Sequence, residues 1–320
     1  HVALTYDAEG RLEQITRYAS LGTEAMVAVT DYRYDEFGRL TGLTHYQDPG
    51  RPLAEYTWAY EGGGWTARPG DVAFNPLPDH AWMFDTAMLG NLVQMTSTDG
   101  VAEFTYDARG QVVGATYDYQ DDEFFSYDAN GNRTNPGYET GDHNRLLTDG
   151  TFAYEYDGEG NRIRRTHLAT GEVTEYTWDV GNRLVAITDR PAAGTPASKA
   201  VRYTYDALGR RIAKQIDEDG DGPAAARSEA YVYLGEHVAL AFTDDDVTDA
   251  TPPKLASRYL HGPYIDQLLA DEQVGIEAST SSHLIWPLGD HLGTIRDLAE
   301  RDPVSGLTVV VSHMTYDTFG

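Results

Sequence analysis

One short stretch of the chain carries residue types and a spacing that could bind a metal ion. Within IDEDGDG, Asp217, Asp219 and Asp221 alternate along the chain and Gly222 follows them. In calcium loops, Asp at positions 1, 3 and 5 supplies carboxylate oxygens, and Gly at position 6 permits a sharp turn. Position 12 of this stretch is Ser228 instead of the usual bidentate Glu. The stretch predicts a calcium site at the three aspartates, and a solvated hairpin insertion is the alternative.

Other signatures of catalysis are missing from the sequence. It contains no nucleophile elbow, zinc-protease helix motif, phosphate-binding loop or Cys/His zinc pattern. It also contains no Cys, so neither disulfides nor thiolate chemistry can contribute. His291 lies close in sequence to Asp290 and Arg296, but we interpret it as a buried His that supports a sheet. We therefore expect that the chain is not an enzyme and needs no organic cofactor.

The charge balance is strongly acidic and limits the choice of partners. The chain has 51 Asp and Glu against 24 Lys and Arg, which gives a formal net charge of -27. A surface of this sign repels phosphate backbones, so we expect no nucleic-acid partner. No run of 18 or more apolar residues is present, and we expect no membrane-spanning helix.

A short pattern recurs along the whole chain and indicates a repeat protein. Tyr-Asp-x-x-Gly occurs in seven copies, which begin at Tyr6, Tyr34, Tyr106, Tyr127, Tyr156, Tyr205 and Tyr316. Degenerate copies begin at Phe84 and Trp178, and the spacing is mostly about 21 to 30 residues. That length suits one strand, a turn, a returning strand and a connection.

The motif chemistry predicts a tight turn between two strands. The Asp side chain can accept a hydrogen bond from a backbone N-H two residues on, and Gly can take the left-handed conformation of a type I turn with a bulge. The flanks, such as SEAYVYL and GRLEQITRY, are rich in Thr, Ile, Leu and aromatic residues that partly alternate. The sequence therefore predicts antiparallel hairpins throughout.

Two side chains of the motif are expected to link or support these turns. We expect the Tyr ring to pack on the neighbouring copy while its hydroxyl stays near the polar turn. Arg follows the Gly directly or one residue later, in the set Arg11, Arg39, Arg210, Arg133, Arg162 and Arg183. We expect it to pair with the motif Asp, and we interpret it as part of the turn instead of a ligand site.

These motifs resemble the YD repeats of the Rhs family, which are shared with shell components of bacterial insecticidal toxin complexes and with the extracellular shell of teneurins. The segments RYLHGPYIDQLLADEQ (258–273) and WPLGDHLGTIRDL (286–298) also resemble parts of the Rhs core. The resemblance implies a long antiparallel sheet that spirals into a hollow shell and holds a toxin or other polypeptide. It also implies a self-cleavage segment after the last YD motif, and we expect the chain to stop before that segment.

We predict a single all-β domain over residues 1–320 that forms part of a shell wall or an open barrel and is a fragment of a longer chain. The predicted function is a structural scaffold, secreted or at the cell surface, that encloses or presents a polypeptide such as a toxin. One alternative is an adhesion module that binds glycans or proteins through Trp58, Trp65 and Trp82. Another is a subunit that joins copies of itself head to tail through sheet edges.

Overall fold

The structure is a computed structural model, and it describes residues 1–19, 26–48, 50–60, 90–248, 250–264, 267–274, 283–302 and 304–319. These residues form 24 strands and one 3-10 turn, Asp142–Asn144. Each strand pairs with its neighbours in the chain, except that the strands Glu123–Phe124 and Tyr138–Thr140 belong to different sheets and do not pair. The prediction of an all-β chain of antiparallel hairpins is confirmed. Trp65, Trp82, Gly320 and the degenerate copy that begins at Phe84 lie outside the described residues.

The chain divides into two compact units. The first unit contains residues His1–Phe125 and Trp286–Gly320, and the second contains Ser126–Ile285. The single domain over residues 1–320 stays a prediction.

The first unit contains a sheet of nine strands in chain order. These strands are β1 Val2–Tyr6, β2 Leu12–Tyr18, β3 Met26–Tyr34, β4 Leu40–Asp48, β5 Arg51–Tyr60, β6 Leu92–Thr96, β7 Val101–Tyr106, β8 Val112–Tyr117 and β9 Glu123–Phe124. The last part of the chain adds β23 Ile295–Arg301 and β24 Thr308–His313, which pair with each other. The strand β22, His283–Gly289, begins in the second unit and ends in the first.

The second unit is a run of twelve strands, each antiparallel to the next. They are β10 Tyr138–Thr140, β11 Leu146–Asp149, β12 Phe152–Tyr156, β13 Arg162–His167, β14 Val173–Trp178, β15 Leu184–Arg190, β16 Lys199–Tyr205, β17 Arg211–Asp217, β18 Arg227–Leu234, β19 His237–Asp244, β20 Lys254–His261 and β21 Leu268–Gln273.

The core of the first unit lies on one face of its nine-stranded sheet. A cluster of Leu43, Ala54, Tyr56, Trp58, Met95 and Ala102 is almost fully buried. The β23–β24 region also contacts this sheet, because the Thr308 hydroxyl donates to the backbone oxygen of Val27 at 2.6 Å. Side chains of strands β2 to β5 are therefore buried by other residues of the same unit.

The second unit buries far fewer of its side chains. The largest buried side chains in its strands are Val173, Ile216 and Leu269, and most other strand residues are half-buried or exposed. Because each strand bonds to the next, the sheet is continuous even where its faces have little cover within the described part of the unit.

Candidate functional site: the turn ladder

The motif aspartate holds the turn together through side-chain hydrogen bonds, three of them in the most complete copies. In the second copy, Asp35 Oδ1 accepts the backbone N-H of Phe37 at 3.0 Å and of Arg39 at 2.9 Å, while Oδ2 accepts Arg39 Nε at 2.7 Å. Gly38 has φ of 80°, the left-handed conformation that favours glycine. The register shifts by one residue between Arg33 and Tyr34, directly before the turn. The predicted type I turn with a bulge is therefore present.

The arginine joins its own turn to the next hairpin. Arg39 bonds Asp35, and its guanidinium carbon lies 4.8 Å from the centre of the Tyr60 ring. The Tyr60 hydroxyl in turn donates to the backbone oxygen of Leu40 at 2.7 Å. An arginine over an aromatic face is attracted to the ring's electron density. One aromatic ring is thus fixed by both its face and its hydroxyl to the preceding turn.

The same ring-to-carbonyl hydrogen bond recurs in both units, with oxygen-to-oxygen distances of 2.6 to 2.9 Å. We call this series the turn ladder. Its tyrosines and the carbonyls that accept from them are Tyr34 to Leu12, Tyr60 to Leu40, Tyr106 to Leu92, Tyr156 to Leu146, Tyr205 to Leu184, Tyr233 to Arg211 and Tyr316 to Ile295. The expectation that the motif Tyr packs on the neighbouring copy is confirmed at five of the seven copies, Tyr34, Tyr106, Tyr156, Tyr205 and Tyr316, whereas Tyr6 and Tyr127 make no hydrogen bond of this kind to any described residue.

The Asp–Arg pairing is confirmed at four of the expected copies. Nitrogen-to-oxygen distances are 2.6 to 2.7 Å for Arg11, Arg39, Arg183 and Arg210. The hydrogen bond from Arg183 holds the pKa of Asp179 below its ordinary value.

Two copies use an asparagine in place of the arginine. The amide nitrogens of Asn132 and Asn161 donate to Asp128 and Asp157 at 2.9 and 3.0 Å. The expectation that Arg133 and Arg162 make this bond is wrong, because Asn132 and Asn161 stand four residues after the Asp, the position that Arg11, Arg39, Arg183 and Arg210 occupy in the other copies. The Arg162 guanidinium lies over the Tyr154 ring at 4.3 Å instead.

Two positions of the ladder use a different ring, and sequence reasoning missed one of them. Trp178 Nε1 donates to the backbone oxygen of Arg162 at 2.8 Å. His261 Nε2 lies 2.9 Å from the oxygen of Val238 and must donate, since a carbonyl can only accept. The signal was available: His261 comes two residues after Tyr259, as Tyr205 comes two residues after Tyr203.

A further copy of the turn lies in the DHLG segment, without its tyrosine. Asp290 Oδ1 accepts the backbone N-H of Leu292 at 2.9 Å and of Thr294 at 3.1 Å. Its Oδ2 accepts Arg296 Nε at 3.1 Å, and the Arg296 guanidinium lies over the Tyr316 ring at 4.9 Å. The Asp290 and Arg296 side chains are only 2% and 11% exposed. This is the turn whose ion pair is buried.

His291 of this turn packs into the core of the first unit. Its ring centre lies 4.7 Å from that of Trp58, and burial lowers the pKa of His291. This agrees with the interpretation of His291 as a buried supporting residue. Because Trp58 is itself only 3% exposed, its ring is not available to stack on a glycan.

A second polar series crosses the first unit from β2 to the start of the DHLG turn. Arg17 Nη1 donates to the Thr30 hydroxyl at 2.7 Å, and Thr30 lies 2.8 Å from His45 Nδ1. Because the Gly289 oxygen can only accept, His45 Nε2 donates to it at 3.1 Å, and Nδ1 of the neutral ring then accepts the proton of the Thr30 hydroxyl. Burial, and then the nearby charge of Arg17, lowers the pKa of His45 to about 3. His45 is therefore neutral at physiological pH.

His313 of β24 lies between two carboxylates of the same unit. Its Nδ1 is 2.7 Å from Asp297 Oδ1, and its Nε2 is 2.6 Å from Asp99 Oδ1. Both bonds require a proton on each ring nitrogen, because carboxylates only accept. The hydrogen bond to Asp297 raises the pKa of His313, burial opposes the rise, and the bond to Asp99 adds to it. Tyr56 donates to the other oxygen of Asp297 at 3.1 Å.

The predicted calcium residues lie at and after the end of β17. Asp219 Oδ2 accepts the backbone N-H of Ala224 at 2.9 Å, and Asp221 Oδ2 accepts that of Ala197 at 2.8 Å. One oxygen each of Asp217 and Asp219 is buried and has no hydrogen-bond partner. Among the described residues, no three acidic or His side chains are grouped so that they could hold a metal ion. Calcium binding stays a prediction.

Comparison with known proteins agrees with this geometry. The family model described as the teneurin YD-shell matches residues 88–222. The chain is 30% identical over 189 residues to toxin protein Tse5 of Pseudomonas aeruginosa, which covers 59% of this chain and 13% of Tse5. It is 26% identical over 247 residues to the probable deoxyribonuclease RhsB of Dickeya dadantii, which covers 74% of this chain and 14% of RhsB.

A solved structure shows the same fold at low sequence identity. All of this chain matches 17% of a chain in the crystal structure of TcdB2-TccC3-Cdc42, with a TM-score of 0.63 and 15% identity. The hairpins, the turn ladder and this match define a YD-repeat β-sheet protein. The comparisons agree with the resemblance of the chain to the Rhs/YD-repeat family, which the family model shows over residues 88–222.

The matched relatives are much longer than this chain. It spans between 6% and 14% of the length of the curated relatives that it matches. The activities in their names are therefore properties of those whole proteins. A search of the described residues finds no helix that is both long and apolar enough to cross a membrane.

Proposed function

We propose that this chain is a structural wall segment of a secreted or cell-surface YD-repeat shell that encloses or presents a polypeptide such as a toxin. The observation that carries the proposal is the turn ladder. Each ring bonds to the turn before it, as Tyr205 bonds to Leu184 at 2.7 Å. A sheet built in this way can be extended by any number of hairpins, since each copy is fixed by its neighbour.

The side chains of the ladder support a structural role and not a catalytic one. The aspartates accept backbone N-H groups and arginine, as Asp206 does with Leu208 and Arg210 at 2.9 Å each. Such bonds occupy the carboxylate oxygens, so these residues are poor general bases. Activities in the names of the relatives then belong to parts of those proteins that lie outside the matched repeats.

If the chain is part of a longer protein, protease protection of that protein tests the proposal. An enclosed polypeptide should resist a protease at concentrations that digest the same polypeptide after the wall is unfolded in denaturant. We expect mass spectrometry to identify a protected fragment that lies outside residues 1–320 of this numbering.

A variant with a weakened wall provides the control for that experiment. Asp290→Ala removes a buried turn carboxylate and should abolish protection, whereas the exposed substitution Asp245→Ala should leave it intact. Digestion of all sequence outside the repeats at the rate of the denatured protein would contradict enclosure. Nuclease activity in the purified 320-residue chain would contradict the structural role.

A further inference from the structure

A groove crosses one face of the second unit. It has a volume of about 820 Å³ and is lined by residues of β14 to β18 and by Val247. One row of side chains crosses its floor in register, and it consists of Thr177, Ala186, Arg202, Gln215 and Ser228. Four strand spacings give the row a length of about 19 Å. An extended peptide of about six residues would match this length.

Small side chains make the groove. Ala200 and Thr204 lie two residues either side of Arg202, on the same face of β16, and Ala186 lies opposite it on β15. These short side chains leave space above the sheet that an extended peptide could fill. Elsewhere on this face, longer side chains fill the surface, as where Arg164 bonds both Glu155 and Glu175.

Arg202 has an unusual position among the arginines of the second unit. Every other arginine of this unit bonds an acidic or polar side chain or lies over an aromatic ring. No hydrogen bond, ion pair or ring contact joins Arg202 to any of the described residues. Pairing is the rule in a chain with 51 acidic and 24 basic residues, so an unpaired arginine stands out.

The charge of the groove is the opposite of the charge of the chain. None of the described residues that line it is acidic. Arg202 is the cation of the row, because Lys214, next to Gln215 in β17, projects to the opposite face of the sheet. Lys214 is neutralised by Glu229 at 2.9 Å, which leaves the charge of Arg202 free. The groove is therefore a local positive site in a protein of net charge -27.

A smaller cavity of about 180 Å³ adjoins the groove and shares Arg202 with it. Asp217 and Asp221 line this cavity together with Arg190. Asp217 lies opposite Ala200 in the register, and Ala200 is two residues before Arg202 on the same face of β16. The side chains of Asp217 and Arg202 form no ion pair. The carboxylate of Asp217 weakens the field of Arg202 without occupying its guanidinium.

We propose that this groove binds an extended polypeptide segment, whose acidic side chain pairs with Arg202. A guanidinium offers two parallel N-H groups that match a carboxylate, and this geometry gives strong and specific hydrogen bonds. Small and apolar side chains of the same segment fit over the Ala and Thr residues on either side. The proposal rests on the proposed function, because the segment would belong to the polypeptide that the wall encloses or presents.

Fluorescence polarisation with a labelled peptide tests this. The probe is an eight-residue peptide of Gly and Ala with two Glu residues, titrated with the 320-residue chain at low and at physiological ionic strength. We expect binding that weakens with salt, and no binding when both Glu residues are replaced by Gln. Arg202→Gln should weaken binding about tenfold or more, since it removes a charge-assisted hydrogen bond.

Three further variants separate the groove from general charge effects. Arg164→Gln, on the same face, removes an arginine that is already paired and should leave affinity unchanged. Asp217→Asn removes a competing carboxylate and should tighten binding several-fold. Ala213→Trp should block the groove even though Arg202 is intact.

Several results would overturn the proposal. One is that Arg202→Gln binds the peptide as tightly as the parent. Another is that Arg164→Gln loses as much peptide affinity as Arg202→Gln. The third is that inorganic phosphate competes fully with the peptide, which would indicate a small-anion site. Dimers that form in the same salt range and disappear in Arg202→Gln would mean that a second copy fills the groove. If protease protection survives in Arg202→Gln and the parent chain binds no peptide, the peptide-binding proposal for the groove is wrong. The proposed wall function would then still stand.

Discussion

The two units of the chain use the same turn but cover their sheets differently. In the first unit, Val27, Ala28, Thr30 and Leu288 have no exposed surface. In the second unit, Tyr154, Tyr176 and Tyr203 occupy comparable strand positions and are only half-buried. The turn ladder is nevertheless intact in both, as Tyr34 to Leu12 at 2.9 Å and Tyr205 to Leu184 at 2.7 Å illustrate.

The difference shows that the register of the hairpins and the stability of the sheet depend on different interactions. The turn ladder sets the register of each hairpin on the previous one and works without a buried core. Free energy of unfolding depends mainly on apolar area removed from water, and only the first unit buries large side chains on several adjacent strands. We infer that the first unit is the more stable part of the wall and that the second depends more on cross-strand pairs.

The largest effect should come from the turn aspartate whose ion pair is buried. Asp290→Ala leaves Arg296 buried without its carboxylate, and removing one partner of a buried pair costs about 3 to 5 kcal/mol. Urea denaturation, read by hydrogen exchange in each unit, measures this loss.

The same substitution in the second unit is the matched control. Asp206 makes the same bonds to Arg210, but the two side chains are 20% and 29% exposed, so solvent can replace what the turn loses. We expect Asp206→Ala to lower the melting temperature much less than Asp290→Ala. Equal losses would mean that burial does not distinguish the two turns.

Truncation of matched leucines should show the difference in packing directly. Leu43 is 1% exposed in the first unit, and Leu260 is 43% exposed in the second. Leu43→Ala should cost about 3 kcal/mol, because it removes buried methyl groups and leaves a cavity. Leu260→Ala should cost less than about 1 kcal/mol, as surface substitutions do. Similar costs at the two sites would show that the second unit has a cover over Leu260 in solution.

The turns could be predicted from the sequence because their chemistry is local. Asp35 and Gly38 determine the turn within four residues of chain, whatever lies around them. The use of Asn161 in place of Arg162 was not predicted, although the bond to Asp157 comes from the residue four positions after it, as in the copies where Arg stands there.

Long-range contacts left no comparable signal in the sequence. His313 meets Asp99 across 214 positions of the chain, and Tyr56 meets Asp297 across 241. Such pairs depend on how a completed sheet brings distant strands together. Because pairing depends on the completed sheet, the lack of a partner for Arg202 could not be predicted from its neighbours in the sequence.

The tyrosine hydroxyls of the turn ladder should contribute equally to the free energy of unfolding in both units. Tyr34→Phe and Tyr205→Phe each remove one hydrogen bond to a backbone oxygen and leave the ring in place. A typical hydrogen bond contributes about 1 kcal/mol, and we expect each variant to lose about this much in urea denaturation. Phe125→Tyr adds a hydroxyl outside the ladder and should give no gain. A loss confined to Tyr34→Phe would show that the ladder depends on the core of the first unit.

The first unit should also lose stability at alkaline pH through His313. Its pKa is raised in the folded state, mainly by the bond to Asp297, so its contribution is complete below the ordinary pKa of His, about 6.5. It is lost as pH rises through the raised value, because one carboxylate then faces a ring nitrogen without a proton. We expect the urea midpoint of the first unit to fall over this range and the second unit to change less.

His313→Gln is the control for that pH dependence. The substitution should lower the midpoint at pH 6 and flatten the profile above it, since Gln does not titrate. Arg296, Tyr56, Tyr119 and Asp290 also lie near this group of charges and stay in the variant. An unchanged slope in His313→Gln would assign the pH dependence to one of them.

The smallest effect concerns calcium and the second unit. If Asp217, Asp219 and Asp221 bind the ion, the site is weak, because Ser228 cannot supply the bidentate carboxylate that tight loops use. Stabilisation is then only about 0.4 kcal/mol when the calcium concentration equals the dissociation constant. We expect calorimetry to detect heat that Asp217→Ala abolishes and that Asp245→Ala, in another acidic loop of the unit, preserves. Because Asp217 also adjoins the Arg202 groove, bound calcium should increase the affinity of the groove for the peptide, as Asp217→Asn does. If calcium leaves the peptide affinity unchanged, the two sites are independent.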